Sequence, residues 1–344
     1  MEEVLKEQTV KLTPKDFQTD QDVRWCPGCG DYSILKQVHT ILPQLGIPRE
    51  QIVFVSGIGC SSRFPYYTET YGLHGIHGRA TAIAAGLKAT RPDLSVWVVT
   101  GDGDALSIGG NHLIHLLRRN FDINVLMFNN EIYGLTKGQY SPTSPEGMVA
   151  KSTPYGSIDH PFNPIALALG ADATFVARSM DRDPAHLQQM LLRCYHHRGT
   201  AFLEILQNCN IYNDGAFELF TEKATKKEHT VFLEHGKPLV FGEQQDKGIR
   251  LDGFTPRVVS LKEFSKEDLM IHDETDINKA MILSRLYEMN DGEHVYPKPF
   301  GVFYMRQRPT YEDALQQQIE QVIAKLGPPD LNKLLRGRET WVVE

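Results

Sequence analysis

The chain of 344 residues carries a net charge of −7 and no block of basic residues, which argues against nucleic acid as a partner. It holds no apolar run long enough to span a bilayer, and its five cysteines, scattered behind no leader-like segment, suit a cytoplasmic compartment better than a disulfide framework. The length allows a sizeable core, expected as one large domain with an appendage.

Residues 1–20 are charged and turn-rich and read as a mobile or partner-wrapping arm. Trp25-Cys26-Pro27-Gly28-Cys29-Gly30 is a tight, glycine-relieved CxxC loop. The spacing predicts a helix over 31–42 with Ile34, Leu35, Val38, Ile41 and Leu42 on one face and Asp31 as its N-cap. A buried strand at 51–55 runs into the turn Ser56-Gly57-Ile58-Gly59-Cys60, and the alanine-rich stretch 79–90 predicts a helix with small, closely packing faces. Residues 95–100 (SVWVVT) and 123–128 (INVLMF) are apolar, β-rich runs suited to parallel strands covered on both sides. Between them, 109–120 sets Leu113, Leu116 and Leu117 at helical spacing, with Arg118 and Arg119 in the last turn. This βαβ unit predicts an α/β fold with a doubly wound, mostly parallel sheet spanning about 21–220. Within it, 140–160 reads as a long functional loop over the site and 201–206 as a further strand.

Past residue 220 the chain turns to charged, broken stretches, expected as a C-terminal extension over 221–344 that grips a partner subunit or a second copy. Residues 223–262 suggest hairpins and 311–326 an amphipathic helix. Asp273, Glu274 and Asp276 read as solvated surface or helix capping rather than a metal site.

The chemistry gathers just past the carboxyl ends of the βαβ strands, where Gly101-Asp102-Gly103-Asp104 and Asn129-Asn130 stand. Ligands of doubly wound sheets bind at that edge, and a carboxylate beside an amide oxygen offers hard donors for a magnesium ion held against a diphosphate. A dinucleotide fingerprint is absent, since no GxGxxG follows the strand. Alone, the GDG triplet also fits a plain acidic turn. Paired with the two asparagines it resembles the thiamine diphosphate enzymes, whose diphosphate motif is GDG followed by NN. That resemblance implies that Asp102 and Asn130 bind Mg²⁺ through their side-chain oxygens and Ile132 through its carbonyl, with Gly103 and Asp104 lining the diphosphate.

Cys26 and Cys29 on one turn would suit a zinc site or a redox pair as well as a larger centre. Cys60 and Cys209 each follow a strand on the same sheet edge as Asp102 and Asn130, whereas Cys194 sits in a helix-like stretch and reads as a packed core thiol. Four such cysteines would bind zinc, iron or an iron–sulfur cluster, and spacing alone does not choose. The ordered set WCPGCG, GIGC, HGRA, GDGD, NNEIYGLTKGQ and a late cysteine resembles the β subunit of 2-oxoacid:ferredoxin oxidoreductases over about residues 20–220, most closely those acting on 2-oxoglutarate.

The resemblance implies a 4Fe-4S cluster on Cys26, Cys29, Cys60 and Cys209, although family members often show proline before the last cysteine and this chain has Gln207-Asn208-Cys209-Asn210. It implies cofactor contacts from Ile58, Gly59, Cys60, Ser61, His77, Gly134 and Leu135. His77 taken alone would be a histidine on a surface turn. Arg63 and Lys137 become candidates for the substrate carboxylates, Lys137 having the alternative of a solvated loop lysine.

Implied activity is the oxidative decarboxylation of a 2-oxoacid, with coenzyme A as acyl acceptor and ferredoxin as electron acceptor, in either direction. A cluster beside the cofactor makes sense only for one-electron steps. The glutamate that activates thiamine diphosphate in such enzymes has no second α/β repeat here to carry it. A partner α subunit is therefore implied to bear it, with αβ units pairing, and no catalytic residue is assigned to this chain. Pyruvate or a broader set of 2-oxoacids is the alternative substrate. A non-oxidative decarboxylase with structural zinc is the alternative enzyme.

Overall fold

The computed structural model describes residues 12–290, 295–341 and 343. Among the described residues thirteen strands run in chain order: β1 (Ile52–Ser56), β2 (Tyr71–His74), β3 (Ser95–Gly101), β4 (Ile123–Asn129), β5 (Ile132–Tyr133), β6 (Gln139–Tyr140), β7 (Phe175–Met180), β8 (Ala201–Leu206), β9 (Thr230–Leu233), β10 (Val240–Phe241), β11 (Lys247–Asp252), β12 (Thr255–Ser260) and β13 (Lys298–Met305). Eight of them form one sheet in the order β2-β1-β3-β4-β8-β7-β13-β9. The first six are mutually parallel, and β13 then pairs antiparallel with β7 and parallel with β9. The expected mostly parallel sheet is present.

Alternation along each strand explains why both faces are covered. Val53, Val55, Val96, Val98, Val125 and Met127 enter one core, while Phe54, Trp97, Val99, Leu126 and Phe128 enter the other. Helix α1 (Asp31–Ile41) and the helix Pro184–His196 close the second face, the latter burying Cys194 as a core thiol. Helices α2 (Ala80–Thr90) and α3 (Gly110–Arg119) close the first. In α3 the predicted Leu113, Leu116 and Leu117 are buried, each stabilising the fold by roughly 1.5–3 kcal/mol. The helix ends at Asn120, in the left-handed region with φ 60°.

The chain enters the sheet at β1, steps outward to β2, then crosses back to β3 and on to β4. Strand order therefore reverses between β1 and β3, opening the crevice where such folds bind ligands. The loops at that crevice are Ser56 to Cys60 and Gly101 to Asp104.

Three expectations change. Gly30, not Asp31, is the N-cap of α1; Asp31 occupies the first helical position, buried, and neither carboxylate oxygen has a hydrogen-bond partner among the described residues. The sheet does not stop near residue 220, because the extension supplies β9 and β13 to it and forms a separate antiparallel sheet, β10-β11-β12. Glu274 is not solvated: it is buried and held bidentate by Arg193 at 2.7 and 2.6 Å, while Asp276 does cap the helix Ile277–Ser284. Residues 1–11 of the expected arm lie outside the described residues. The remainder packs down, with Phe17 fully buried and Gln18 bridging Thr68.

Candidate active site at the sheet switch point

A cavity of about 110 Å³ opens at the switch point, lined by Ile58, Gly59, Cys60, Ser61, His77, Asp102, Gly103, Asp104, Asn130, Ile132, Gly134 and Leu135, along with Gly101, Phe128, Tyr133 and Thr136. All the cofactor and magnesium residues expected from the sequence thus meet at one place. Gly103 is required by close approach: a Cβ there would lie 2.1 Å from the ring of Tyr133, whose hydroxyl donates to the Gly103 carbonyl at 3.2 Å.

Asp102 is buried, and burial pushes its carboxyl up to about 6 against the pull of two hydroxyls. Those hydroxyls, Ser141 and Thr143 from the loop after β6, both donate to Oδ2, at 2.5 and 2.6 Å. No side-chain donor engages Oδ1 among the described residues. Thr143 Oγ1 also lies 2.9 Å from Oδ1 of Asn129, whose Nδ2 donates to Glu204 at 2.8 Å, and Glu204 is ion-paired with Arg178 at 2.6 Å. A buried carboxylate with one oxygen clamped and one left over, beside the Asn130 amide oxygen and the Ile132 carbonyl, is an all-oxygen donor set that fits magnesium.

Asp104, on the cavity wall, also holds two loops together. Its carboxylate accepts from the Ile58 amide (3.1 Å), the Gly78 amide (2.7 Å) and Thr100 Oγ1 (2.7 Å), and it is paired with His77 Nδ1. One side chain thereby joins the turn after β1 to the His77-Gly78 turn. His77 remains at the cavity wall.

The thiols converge beside this cavity. Cys60 and Cys209 Sγ each lie 3.6 Å from where a Gly134 Cβ would stand. Trp25 Nε1 donates to the Cys60 carbonyl at 2.7 Å, the Gly30 amide to the Asn208 carbonyl at 3.1 Å, and Asn210 Nδ2 to the Pro27 carbonyl at 2.6 Å. These bonds lash the three cysteine-bearing segments together. Burial, aided by Asp31 and the neighbouring thiols, pushes Cys29 well above the thiol range and Cys60 up to about 12, so these two thiols are neutral when metal-free and metal uptake must displace their protons. Among the described residues no three His, Cys, Asp or Glu side chains stand close enough to share a single ion. The four thiols are neighbours, a soft donor set of the kind that zinc and iron–sulfur centres take.

Arg63 lines a second cavity of about 570 Å³ that shares Ile58, Gly59 and Leu135 with the first and adds Arg24, Tyr66, Tyr67 and His74. Lys137 lines neither cavity; it stands exposed on a left-handed turn with φ 74°. The sequence reading missed Ser141, Thr143, Glu204 and Gln207. The hydroxyl-dense Ser141-Pro142-Thr143-Ser144 run was the one available signal.

Fold and crevice define a thiamine diphosphate-binding domain, and the family model for the thiamine pyrophosphate enzyme C-terminal TPP binding domain matches residues 57–205. The chain is 54% identical over 334 residues, 96% of its length and 88% of the relative's, to the 2-oxoglutarate oxidoreductase subunit KorB of Mycobacterium tuberculosis. It is 35% identical to the β subunit of 2-oxoacid:ferredoxin oxidoreductase 2 of Aeropyrum pernix, covering 88% of this chain and 86% of that one. A solved structure of the 2-oxoglutarate:ferredoxin oxidoreductase from Magnetococcus marinus, with 2-oxoglutarate, coenzyme A and succinyl-CoA bound, superposes with a TM-score of 0.75 at 32% identity, over 96% of this chain and 97% of its own. The chain belongs to the 2-oxoacid:ferredoxin oxidoreductase β-subunit family and is an enzyme subunit. No helix among the described residues is long and apolar enough to cross a membrane.

Proposed function

We propose that this β subunit, with an α subunit, oxidatively decarboxylates 2-oxoglutarate with coenzyme A to succinyl-CoA and CO₂, passing electrons through a 4Fe-4S cluster to ferredoxin. The observation that carries the proposal is the meeting of an oxygen donor set and four thiols at one switch point. Bound there, thiamine diphosphate supplies the electron sink that decarboxylation needs, and the cluster a one-electron exit.

The residues of the chain divide the remaining work. Asp102, Asn130 and the Ile132 carbonyl would hold Mg²⁺ against the diphosphate, and Ile58, Gly59, Cys60, Ser61, His77, Gly103, Asp104, Gly134 and Leu135 would wall the cofactor. Cys26, Cys29, Cys60 and Cys209 would ligate the cluster. Arg63, in the adjoining cavity, would pair with a substrate carboxylate. Lys137 would join it only after a movement of its loop.

An α subunit completes the site by supplying the activating glutamate. Exposed apolar side chains at the rim, Tyr66, Tyr71, Leu73, Ile76 and Ile108, support a docked partner. The 2-oxoglutarate preference rests on the relatives' names and on Arg63. It is tested by purifying the αβ complex anaerobically and comparing kcat/KM for 2-oxoglutarate and pyruvate. A clear preference for 2-oxoglutarate that falls at least tenfold in Arg63→Ala is expected; a preference for pyruvate would refute the assignment.

A further inference from the structure

Gln207 follows β8 directly, and its amide N–H donates to the Asn129 carbonyl at 2.9 Å, continuing the β4–β8 ladder by one residue. That register sets the Gln207 side chain beside Asn130. The side chain is 1% exposed, and each polar atom of its amide has a partner. Oε1 accepts from Asn130 Nδ2 at 2.9 Å, while Nε2 donates to the Asn208 carbonyl at 2.5 Å and to Cys29 Sγ at 3.3 Å.

The orientation of this chain of amides is fixed. The Ile132 amide N–H donates to Asn130 Oδ1 at 3.1 Å, so Asn130 must present its NH₂ to Gln207. Gln207 must then turn its own NH₂ toward Asn208 and Cys29. Reversing either amide would set donor against donor or acceptor against acceptor. One buried side chain therefore bridges a magnesium donor and a cysteine on the proposed cluster.

We infer that Gln207 is a positioning residue shared by the two cofactor sites, orienting Asn130 toward the metal and tuning the cluster's reduction potential through an N–H···S bond to Cys29. This rests on the cofactor assignment proposed above. A hydrogen-bond donor at a ligand sulfur stabilises the more negative, reduced cluster and raises its potential. Groups behind a metal ligand set its orientation and change metal affinity about 10–100-fold when removed.

Two variants separate the effects in the anaerobic αβ complex. Gln207→Glu keeps the oxygen that accepts from Asn130 and loses the donor to sulfur; Gln207→Leu loses both. An EPR-monitored redox titration reads the cluster, and Mn²⁺ substituted for Mg²⁺ reads the metal site. Both variants should lower the reduced-to-oxidised ratio at fixed potential about tenfold, ~59 mV for one electron. Mn²⁺ affinity should fall about tenfold in Gln207→Leu and stay within about twofold in Gln207→Glu. An unshifted potential in Gln207→Glu, or wild-type Mn²⁺ affinity in Gln207→Leu, would overturn the inference. So would assembled variants that simply lack the cluster, since Gln207 would then be scaffold. A wild-type complex with neither cluster nor Mn²⁺ site would instead fail the cofactor assignment itself.

Discussion

At Asp102 the two hydroxyls of Ser141 and Thr143 fall on the same oxygen, so the loop between β6 and the next helix decides which lone pairs remain for a metal. Removing one hydroxyl should loosen that choice without emptying the core. Thr143→Val in the αβ complex is expected to weaken Mn²⁺ binding about tenfold, Thr143→Ser to restore it, and the thermal midpoint of the metal-free complex to move little. Buried histidines offer a test of a different kind. His197 is 3% exposed, bonded through Nε2 to Thr174 at 2.8 Å, and burial lowers its pKa from 6.5 to about 4. The folded state then binds fewer protons than the unfolded one between those values, so stability falls as pH falls through that window. Buried Asp31 and Asp102, raised to about 7 and about 6, act with the opposite sign, and a variant is needed to separate them. The stability difference between wild type and His197→Gln should shrink by ~1 kcal/mol from pH 6.5 to 5.5 in urea titrations. A constant difference would contradict the assignment.

Among the elements, α3 shows what holds the strand ends in place. Its left-handed cap Asn120 accepts at Oδ1 from Thr174 Oγ1 (2.6 Å) and the Thr200 amide (3.0 Å), and donates through Nδ2 to the carbonyls of Arg308 and Pro309. One amide thus joins α3 to β7, β8 and the segment after β13. Asn120→Ala leaves several buried groups unpaired and puts alanine in a left-handed conformation that asparagine tolerates better, and should cost on the order of 3 kcal/mol by chemical denaturation. Elements of this kind were legible where the signal is local. Apolar runs gave β3, β4 and β8, leucine spacing gave α3, and motifs just past strand ends gave Asp102, Asn130 and Cys60. What depends on register between distant strands was not. Gln207 meets Asn130 only because Asn129 pairs with Leu206, and nothing along the chain announces that pairing. Asp31 looked like a cap because acids favour that position; the helix starts one residue earlier and buries it beside Cys29.

For the whole molecule, the extension after residue 220 is part of the sheet. Its strand β13 lies between β7 and β9 and buries Phe300, Val302 and Phe303 completely. Its apolar run, Pro299 to Met305, carried a strand signal hidden among charged neighbours. A fragment ending at residue 220 would bare the β7 edge and both flanking cores, and should be insoluble or lack a cooperative unfolding transition. A soluble, cooperatively unfolding fragment would show the extension to be dispensable.

In the proposed function the oxygen site around Asp102 and the thiols around Cys60 act as one redox unit. It is tested most directly by mixing the anaerobic, oxidised αβ complex with 2-oxoglutarate and coenzyme A and following the reduced cluster by rapid-freeze EPR. The wild-type complex should develop the reduced-cluster signal, and Asp102→Ala, with its cluster intact, should not. A signal that grows equally in Asp102→Ala, or none in the fully loaded wild type, would contradict it.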